Sequence, residues 1–324
     1  MTSSALMLAN DGARRITRRE WARLTAGAAL LAAARTRARA TALSWDTPTR
    51  SIPGIERKYR VDAQVVLFSV PLLRRFGVGA GTAAWWESSE ADGTTRVLDF
   101  AAYSLPQRAA GLNRLGFIQE RIRLAEAGMV EAIYFGLMTA SAEESADEAR
   151  KALHPTASQV AYTAVDARIQ SRSMETATAH FTAPSSLSAV HRAHLEQMAR
   201  QALAAVPRKS VGFAADTESP PPFLQAMAEL LRQPKGGEGR YIYNGRVYRL
   251  RLRRAADPKA SEHFRARGLA SGRVMAVTGA LQRVSGGKSI DFRLWVEESA
   301  AHPVPLRIEY QPKSYLRLAF EAEA

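Results

Sequence analysis

The sequence contains no cysteine. This absence excludes disulfide bonds, thiolate metal sites, iron–sulfur clusters and a cysteine nucleophile, whatever the redox state of the compartment. Since 46% of the 324 residues are hydrophobic, the chain can bury a substantial core in the manner of an ordinary globular protein. Its cohesion therefore has to come from packing and hydrogen bonding.

Motifs that define a reaction are also missing. There is no Gly-x-Ser-x-Gly nucleophile elbow. The glycine-rich run 77–81 lacks both the Lys-Ser/Thr of a phosphate-binding loop and a helix pattern after it, so we interpret it as a turn or a bulge between strands. The sequence thus indicates no cofactor and no metal, and it leaves the question of enzymatic activity open.

The chain has no apolar run of the ~20 residues needed to span a membrane. Its N-terminus instead resembles a twin-arginine export signal, in which Arg18 and Arg19 precede a short apolar stretch, 24–34, and a small-x-small cleavage site, 38–40. We expect a signal peptide over 1–40, recognition by the twin-arginine export machinery, and a mature chain from Thr41 without a transmembrane span. The protein is then expected to be periplasmic or otherwise exported.

The charge of the chain is strongly positive. The formal net charge is +14, of which the eight arginines and two acidic residues of segment 1–40 supply +6, so the remainder carries +8. Basic surfaces favour nucleic acid, anionic lipid or acidic glycan. Because export removes the protein from nucleic acid, a lipid or other anionic amphiphile is the expected partner.

The mature chain reads mainly as strands. Segment 57–68 alternates apolar and polar residues with the period of a half-buried strand. Similar segments, separated by Gly-containing turns, recur before and after helix patterns at 141–155, 186–206 and 220–232. We predict an α+β fold that is predominantly antiparallel β, with a large curved sheet, partial barrel or sandwich and a few packed helices.

This pattern also predicts how the mature chain is organised. We expect an N-terminal β-rich region over 41–182, a helical segment over 183–238 that ends in a Pro/Gly-rich joint at 234–239, and a C-terminal antiparallel region over 239–324. The two strand-rich regions are expected to share one sheet.

The sharpest local signal is Asn244-Gly245, which predicts a two-residue type I′ hairpin turn. Pairing across this turn separates an apolar face from a cationic face that contains Arg249, Arg251 and Arg253. An apolar sheet face with a cationic rim suits an amphiphile with an anionic head, so we predict a ligand-binding groove. Its predicted contacts are Tyr241, Tyr243, Tyr248, Leu250, Leu252, Arg249 and Arg251.

The C-terminal part resembles a family of exported bacterial proteins with a β-rich domain of unknown function. The resemblance rests on Trp295-Val296-Glu297-Glu298, on the segment 303–308 and on the hairpin 243–248, and it covers about the last 85 residues. It implies a curved, lipocalin-like sheet in the cell envelope, and it supplies no catalytic residue.

Two other functions remain open at this level. A periplasmic hydrolase or isomerase with a site between the sheet and the middle helices could use His191 and His194, three residues apart on a predicted helix, or carboxylate pairs such as Asp62 with Glu87 and Asp291 with Glu297. The histidines lack the intervening glutamate of a zinc-protease helix, which favours surface positions for them. An envelope scaffold protein without a small-molecule ligand is the third possibility.

Overall fold

The computed structural model describes residues 43–45, 54–67, 70–90, 93–109, 113–126, 128–139, 158–170, 172–187, 189–213, 219–313 and 316–324. Contacts divide the chain into Met1–Ala42 and Leu43–Ala324, and every described residue belongs to the second unit. The expected signal peptide and the helix predicted over 141–155 lie outside the described residues.

Eight strands follow one another as an antiparallel meander in the first half of this unit. They are β1 (Ile55–Leu67), β2 (Val70–Glu90), β3 (Gly93–Ser104), β4 (Leu115–Ala125), β5 (Gly128–Thr139), β6 (Gln159–Gln170), β7 (Ser173–Pro184) and β8 (Lys209–Gly212). In β1 apolar and polar residues alternate with the two-residue period of a half-buried strand, whereas most of β5 is buried on both faces.

Six further strands form a second antiparallel meander. They are β9 (Gly236–Tyr243), β10 (Arg246–Ala256), β11 (Val274–Arg283), β12 (Ile290–Glu297), β13 (Arg307–Lys313) and β14 (Leu316–Ala322). Antiparallel pairing of β14 with β1, from Tyr59 opposite Ala322 to Val65 opposite Leu316, joins both meanders into one 14-stranded sheet with β8 and β9 at its ends.

The sheet curls so that the turn between β9 and β10 lies over β5 and β7. The backbone N–H of Asn244 donates to the Tyr134 hydroxyl at 2.8 Å, and the Thr178 hydroxyl donates to Asn244 Oδ1 at 2.6 Å. The rings of Tyr134 and Tyr243 stack 5.8 Å apart. We call the face that carries Tyr59, Ile122 and Tyr134 the inner face, because these side chains share one buried cluster.

Three described helices cover the sheet. Helix α1 (Arg192–Ala204) follows a 3-10 turn, Ala189–His191, and packs on the outer face of β6 and β7. Helix α2 (Phe223–Arg232) lies on the inner face against β9 and β10. Helix α3 (Pro258–Ala266) is capped at its start by Asp257, whose carboxylate accepts the Ala260 N–H, and it packs against β11.

No helix of the described residues combines the length and apolar character needed to cross a membrane.

The chain is therefore predominantly antiparallel β with a few packed helices, as its patterning predicts. The predicted hairpin turn is confirmed, since Asn244 and Gly245 have φ values of 47° and 69° and Tyr243 pairs with Arg246. The glycine run from Gly77 lies inside β2, where a register shift opposite Asp62 makes it a bulge. The turn alternative for that run is wrong.

Other boundaries predicted from the sequence need correction. The expected joint over 234–239 is wrong from Gly236 onward, because its glycines belong to β9 and leave room for Leu230 of α2. The helix predicted from 186 begins only at Arg192. Strand β8 and helix α3 were not predicted, although Asp257-Pro258 is a typical helix start.

Candidate functional site

A pocket of about 410 Å³ opens at one end of the strands, where β2 ends, β3 begins and β4 ends. We call these strand ends the lower rim and the opposite strand ends the upper rim. The pocket is lined by Glu87, Gly93, Thr94, Arg96, Leu124, Ala125, Glu126 and Arg232. Its volume lies within the range of small-molecule sites, which is roughly 300–1,000 Å³.

Arg96 forms the buried wall of this pocket. It lies on β3 with the inward-facing residues, and its side chain is only 6% exposed. Its Nε donates to Glu87 Oε1 at 2.7 Å, and its Nη1 donates to Gln225 Oε1 of α2 at 2.8 Å. Burial lowers the pKa of Arg96, while the bond and charge of Glu87 oppose this effect. The guanidinium is therefore held in a fixed position by the sheet and the helix together.

Arg232, the last residue of α2, brings a second guanidinium to the pocket. Its side chain is 40% exposed, and its Nη2 lies 3.5 Å from Glu87 Oε1. The end of the helix is held by Arg254, whose Nη1 donates to the carbonyl oxygens of Leu231 and Gln233 at 2.8 and 2.9 Å. Arg254 thus holds the backbone beside Arg232, whose guanidinium is partly exposed to solvent.

Trp85 lies beneath both guanidiniums. The Arg96 and Arg232 guanidinium carbons lie 4.6 and 4.8 Å from its ring centroid, close enough for cation–π attraction. The His302 ring lies 5.4 Å away on the loop between β12 and β13. Trp85 Nε1 and His302 Nδ1 are both buried, and no hydrogen-bond partner is found for them among the described residues. In protein interiors most buried polar atoms have a hydrogen-bond partner, so two such atoms without one in a single cluster are unusual.

Glu87 is the carboxylate that faces both arginines. Burial alone raises its pKa, but the hydrogen bond and charge of Arg96, with the charges of Arg232 and His302, hold the pKa of Glu87 below its ordinary value. Arg232 also contributes to the lowered pKa of Arg96, which records repulsion between the two cations. With Glu126 also in the lining, the pocket carries two guanidiniums and two carboxylates. Arg232 is the guanidinium with the longer ion pair and the more exposed side chain.

The structure places the apolar residues predicted to bind a ligand under α2. Tyr241 and Tyr248 stack with centroids 5.0 Å apart, and Tyr241 contacts the Phe223 ring at the same centroid distance. Leu250 and Leu252 are buried in the same cluster. The predicted common face is confirmed, whereas the binding role stays a prediction. A ligand reaches these side chains only if α2 moves away.

The cationic residues of the predicted groove lie on the other face of the hairpin. Arg249 and Arg251 each pair with Glu238, at 2.9 and 2.8 Å, and both side chains are exposed. They therefore do not converge with the tyrosines, and neither of them lines the pocket.

The catalytic candidates do not converge either. His191, in the 3-10 turn before α1, and His194, on α1, are both exposed. Asp62 lies opposite the bulge near Gly77, and Glu87 lies ten residues further along β2, about 33 Å away at ~3.3 Å per residue. Asp291 and Glu297 are six residues apart on β12, or about 20 Å. These separations far exceed the roughly 5–10 Å that glycoside hydrolysis requires.

Of the lower-rim residues, the sequence singled out Glu87, as a candidate catalytic carboxylate paired with Asp62, and it predicted no role for Arg96 or Arg232. Arg96 occupies an inward position of a strand, which is an unusual place for an arginine, but nothing in the sequence links it to Arg232. Among the described residues, no group of three or more His, Asp or Glu side chains is arranged to hold a metal ion.

No protein-family model matches the chain, and no curated protein matches it. A solved structure that it resembles is a beta-barrel-like protein of a domain of unknown function, DUF1849, from Brucella abortus. The identity is 9%, the TM-score is 0.44, and the match covers 85% of this chain and 98% of that chain. We draw no functional conclusion from this likeness.

Proposed function

We propose that this is an exported cell-envelope protein that binds a small amphiphile with an anionic head, and that the lower-rim pocket holds that head. The observation that carries the proposal is the pair of guanidiniums, Arg96 and Arg232, placed over one buried tryptophan with Glu87 as their shared ion-pair partner. This location replaces Arg249 and Arg251 as the contact for the head group.

Arg232 is the residue whose N–H donors are accessible to an anionic ligand. Its ion pair with Glu87 is long, at 3.5 Å, and its side chain remains 40% exposed. A guanidinium has five N–H donors in a planar fork that matches carboxylate and phosphate oxygens. An anionic head beside Arg232 also relieves its repulsion with Arg96.

Part of the remaining lining suits the apolar part of such a ligand, and Glu126 lies beside it. Leu124 and Ala125 form one side of the pocket, and Thr94 presents a methyl group and a hydroxyl. The sheet curls around α2, so we infer that it acts as a partial barrel whose interior is filled and whose lower mouth is the binding site. The twin-arginine-type N-terminus supports a location in the envelope, where anionic amphiphiles occur.

A calorimetric titration with decyl phosphate tests the proposal, with a neutral decyl glycoside as the uncharged comparison. Arg232→Gln removes the exposed guanidinium, and Arg249→Gln is the matched control because it removes an exposed, ion-paired arginine outside the pocket. We expect Arg232→Gln to weaken binding about tenfold or more, since a charge-assisted hydrogen bond contributes ~1.5–3 kcal/mol. Arg249→Gln should bind as the unaltered protein does.

If Arg249→Gln weakens binding and Arg232→Gln does not, the head group binds at the β9–β10 hairpin and not in the lower-rim pocket. If decyl phosphate and the neutral decyl glycoside bind equally well, Arg96 and Arg232 do not recognise an anionic head group. Native mass spectrometry of protein purified from its envelope fraction without detergent adds an independent check. A clean apo mass, together with no uptake of decyl phosphate, contradicts the proposal.

A further inference from the structure

The exposed large hydrophobic side chains are concentrated at one end of the sheet. Among the described residues seven such side chains are exposed, and six of them lie toward the upper rim. These six are Val65, Leu73, Phe76, Met138, Val284 and Ile290. They share this end because β1, β5 and β11 run in the same direction and finish there, whereas β2 and β12 begin there. Val130, the seventh, lies near the start of β5 at the opposite end.

The β1–β2 hairpin carries the most exposed members of this set. Pairing of β2 with β3 begins only at Gly79, so the part of β2 before Gly79 extends past β3. We call residues 62–67 with 70–77 the finger. Within it Leu73 and Phe76 are 53% and 60% exposed, and Val65, directly opposite Leu73, is 37% exposed. Because successive side chains of a strand point to opposite faces, Leu73 and Val65 lie on one face of the finger and Phe76 lies on the other. Both faces of the finger therefore expose apolar side chains, a feature typical of an interaction site.

The finger also has a cationic character. Arg74 and Arg75 lie between Leu73 and Phe76, and Arg60 lies at the base. The segment 60–77 contains one acidic residue, Asp62, which is buried and paired with Arg60 and Arg74. The Arg74 guanidinium carbon lies 4.4 Å above the Phe76 ring. A surplus of positive charge therefore surrounds the exposed apolar side chains.

The backbone of the finger is held in a defined shape. Asp62 Oδ1 accepts the Gly77 N–H at 2.9 Å, which fixes the bulge at the base of the finger. Gly77 itself has φ +60°. The apolar and cationic side chains are thus presented from a paired hairpin, so docking requires little additional ordering of the backbone.

We propose that the finger docks on an anionic lipid surface. The finger enters end-on, so that Leu73 on one face and Phe76 on the other reach the interface between head groups and acyl chains. Arg75 beside Leu73 and Arg74 beside Phe76 meet lipid phosphates, with their aliphatic stems lying along the apolar region. Charge complementarity selects this occupant, because a surplus of arginine around exposed apolar groups matches a surface that is anionic above and apolar below. The pocket, at the opposite rim, stays accessible, so this inference is independent of the proposed ligand.

Vesicle flotation of the full chain tests the inference, with vesicles of equal parts phosphatidylcholine and phosphatidylglycerol compared with vesicles of phosphatidylcholine alone. The unaltered protein should float with the anionic vesicles at low salt and should dissociate as salt rises above ~0.1 M. Leu73→Ser/Phe76→Ser should lower the partition coefficient by on the order of tenfold or more, since both side chains lose apolar contact. Arg75→Gln should lower it about fivefold.

Val130→Ser is the matched control, because Val130 is 48% exposed at the other end of the sheet and its replacement should leave flotation unchanged. Melting curves of each variant show whether the fold is retained, and Arg75→Gln alone still tests the inference if the double variant fails to fold. Equal flotation with both kinds of vesicle, or an effect of Val130→Ser equal to that of the finger variants, would overturn it. Absence of flotation together with a dimer that requires Phe76 would assign the finger to a second copy of the chain.

Discussion

Glu120 gives the sharpest test of the packing inside the sheet. This β4 residue is completely buried, and its Oε1 and Oε2 accept the N–H groups of Leu224 and Gln225 at 2.7 and 2.8 Å. These donors belong to the first turn of α2, whose preceding residue, Pro222, makes no side-chain cap. A carboxyl group from a distant strand therefore performs the capping that α2 lacks locally.

The ionisation of this group should make stability depend on pH. Burial raises the pKa of Glu120 from its ordinary 4.5 to about 8, against the opposing effect of the two backbone hydrogen bonds. Between these values the folded protein holds a proton that the unfolded chain releases, so the free energy of unfolding falls as pH rises from ~4.5 to ~8. At about 1.4 kcal/mol for each tenfold change in proton affinity, the loss is at most on the order of 5 kcal/mol.

Glu120→Gln removes this proton equilibrium while keeping the shape of the side chain. The stability of the unaltered protein relative to the variant should decline by several kcal/mol, on the order of the limit above, between about pH 5 and about pH 8. Urea unfolding followed by tryptophan fluorescence measures the difference, and the infrared carbonyl band of Glu120 reports its protonation. A difference that stays constant or rises with pH, with no protonated band at neutral pH, refutes the reasoning. The two N–H bonds and the positive end of α2 would then outweigh burial.

Three further changes test the packing and the turns. Gly279→Ala places a Cβ 2.0 Å from a Phe292 ring atom and should lower the free energy of unfolding by about 1–3 kcal/mol. The loss should be smaller on a Phe292→Ala background, and if urea unfolding shows that the losses of the two variants simply add, the contact is absent. Gly245→Ala, at φ +69°, should destabilise the protein by about 1–2 kcal/mol in the same assay, and an unchanged midpoint would argue against the left-handed turn. Glu131→Gln should speed hydrogen exchange at Leu43, whose N–H donates to Glu131 Oε2 at 3.2 Å, and unaltered exchange would contradict that contact.

Local features of the fold were accessible from the sequence. The alternation of residues in 57–68 predicts β1, and Asn244-Gly245 predicts the hairpin because few other residue pairs adopt two successive positive φ values. The division of the hairpin into an apolar and a cationic face follows from the two-residue period of a strand. These predictions need only neighbouring residues, which is why they agree with the structure.

Tertiary packing decided what the apolar face of that hairpin contacts. The sequence pattern is the same whether Tyr241 and Leu250 line an open groove or pack against a helix. Only the folded chain shows α2 covering them, held by Glu120 at one end and by Arg254 at the other. Glycines that read as a flexible joint instead form the strand surface against which Leu230 fits.

The candidate site depended on the fold even more strongly. Glu87 and Arg96 are close in sequence, but Arg232 and His302 are far from them along the chain and meet Trp85 only when the two meanders join and curl. Composition and spacing determined the strand-rich class and the positive charge, and they predict an export-type N-terminus, because each of these is a property of short segments or of the whole composition. The position of the lower-rim pocket and of the exposed finger arises from long-range pairing, which brings together residues that no sequence period connects.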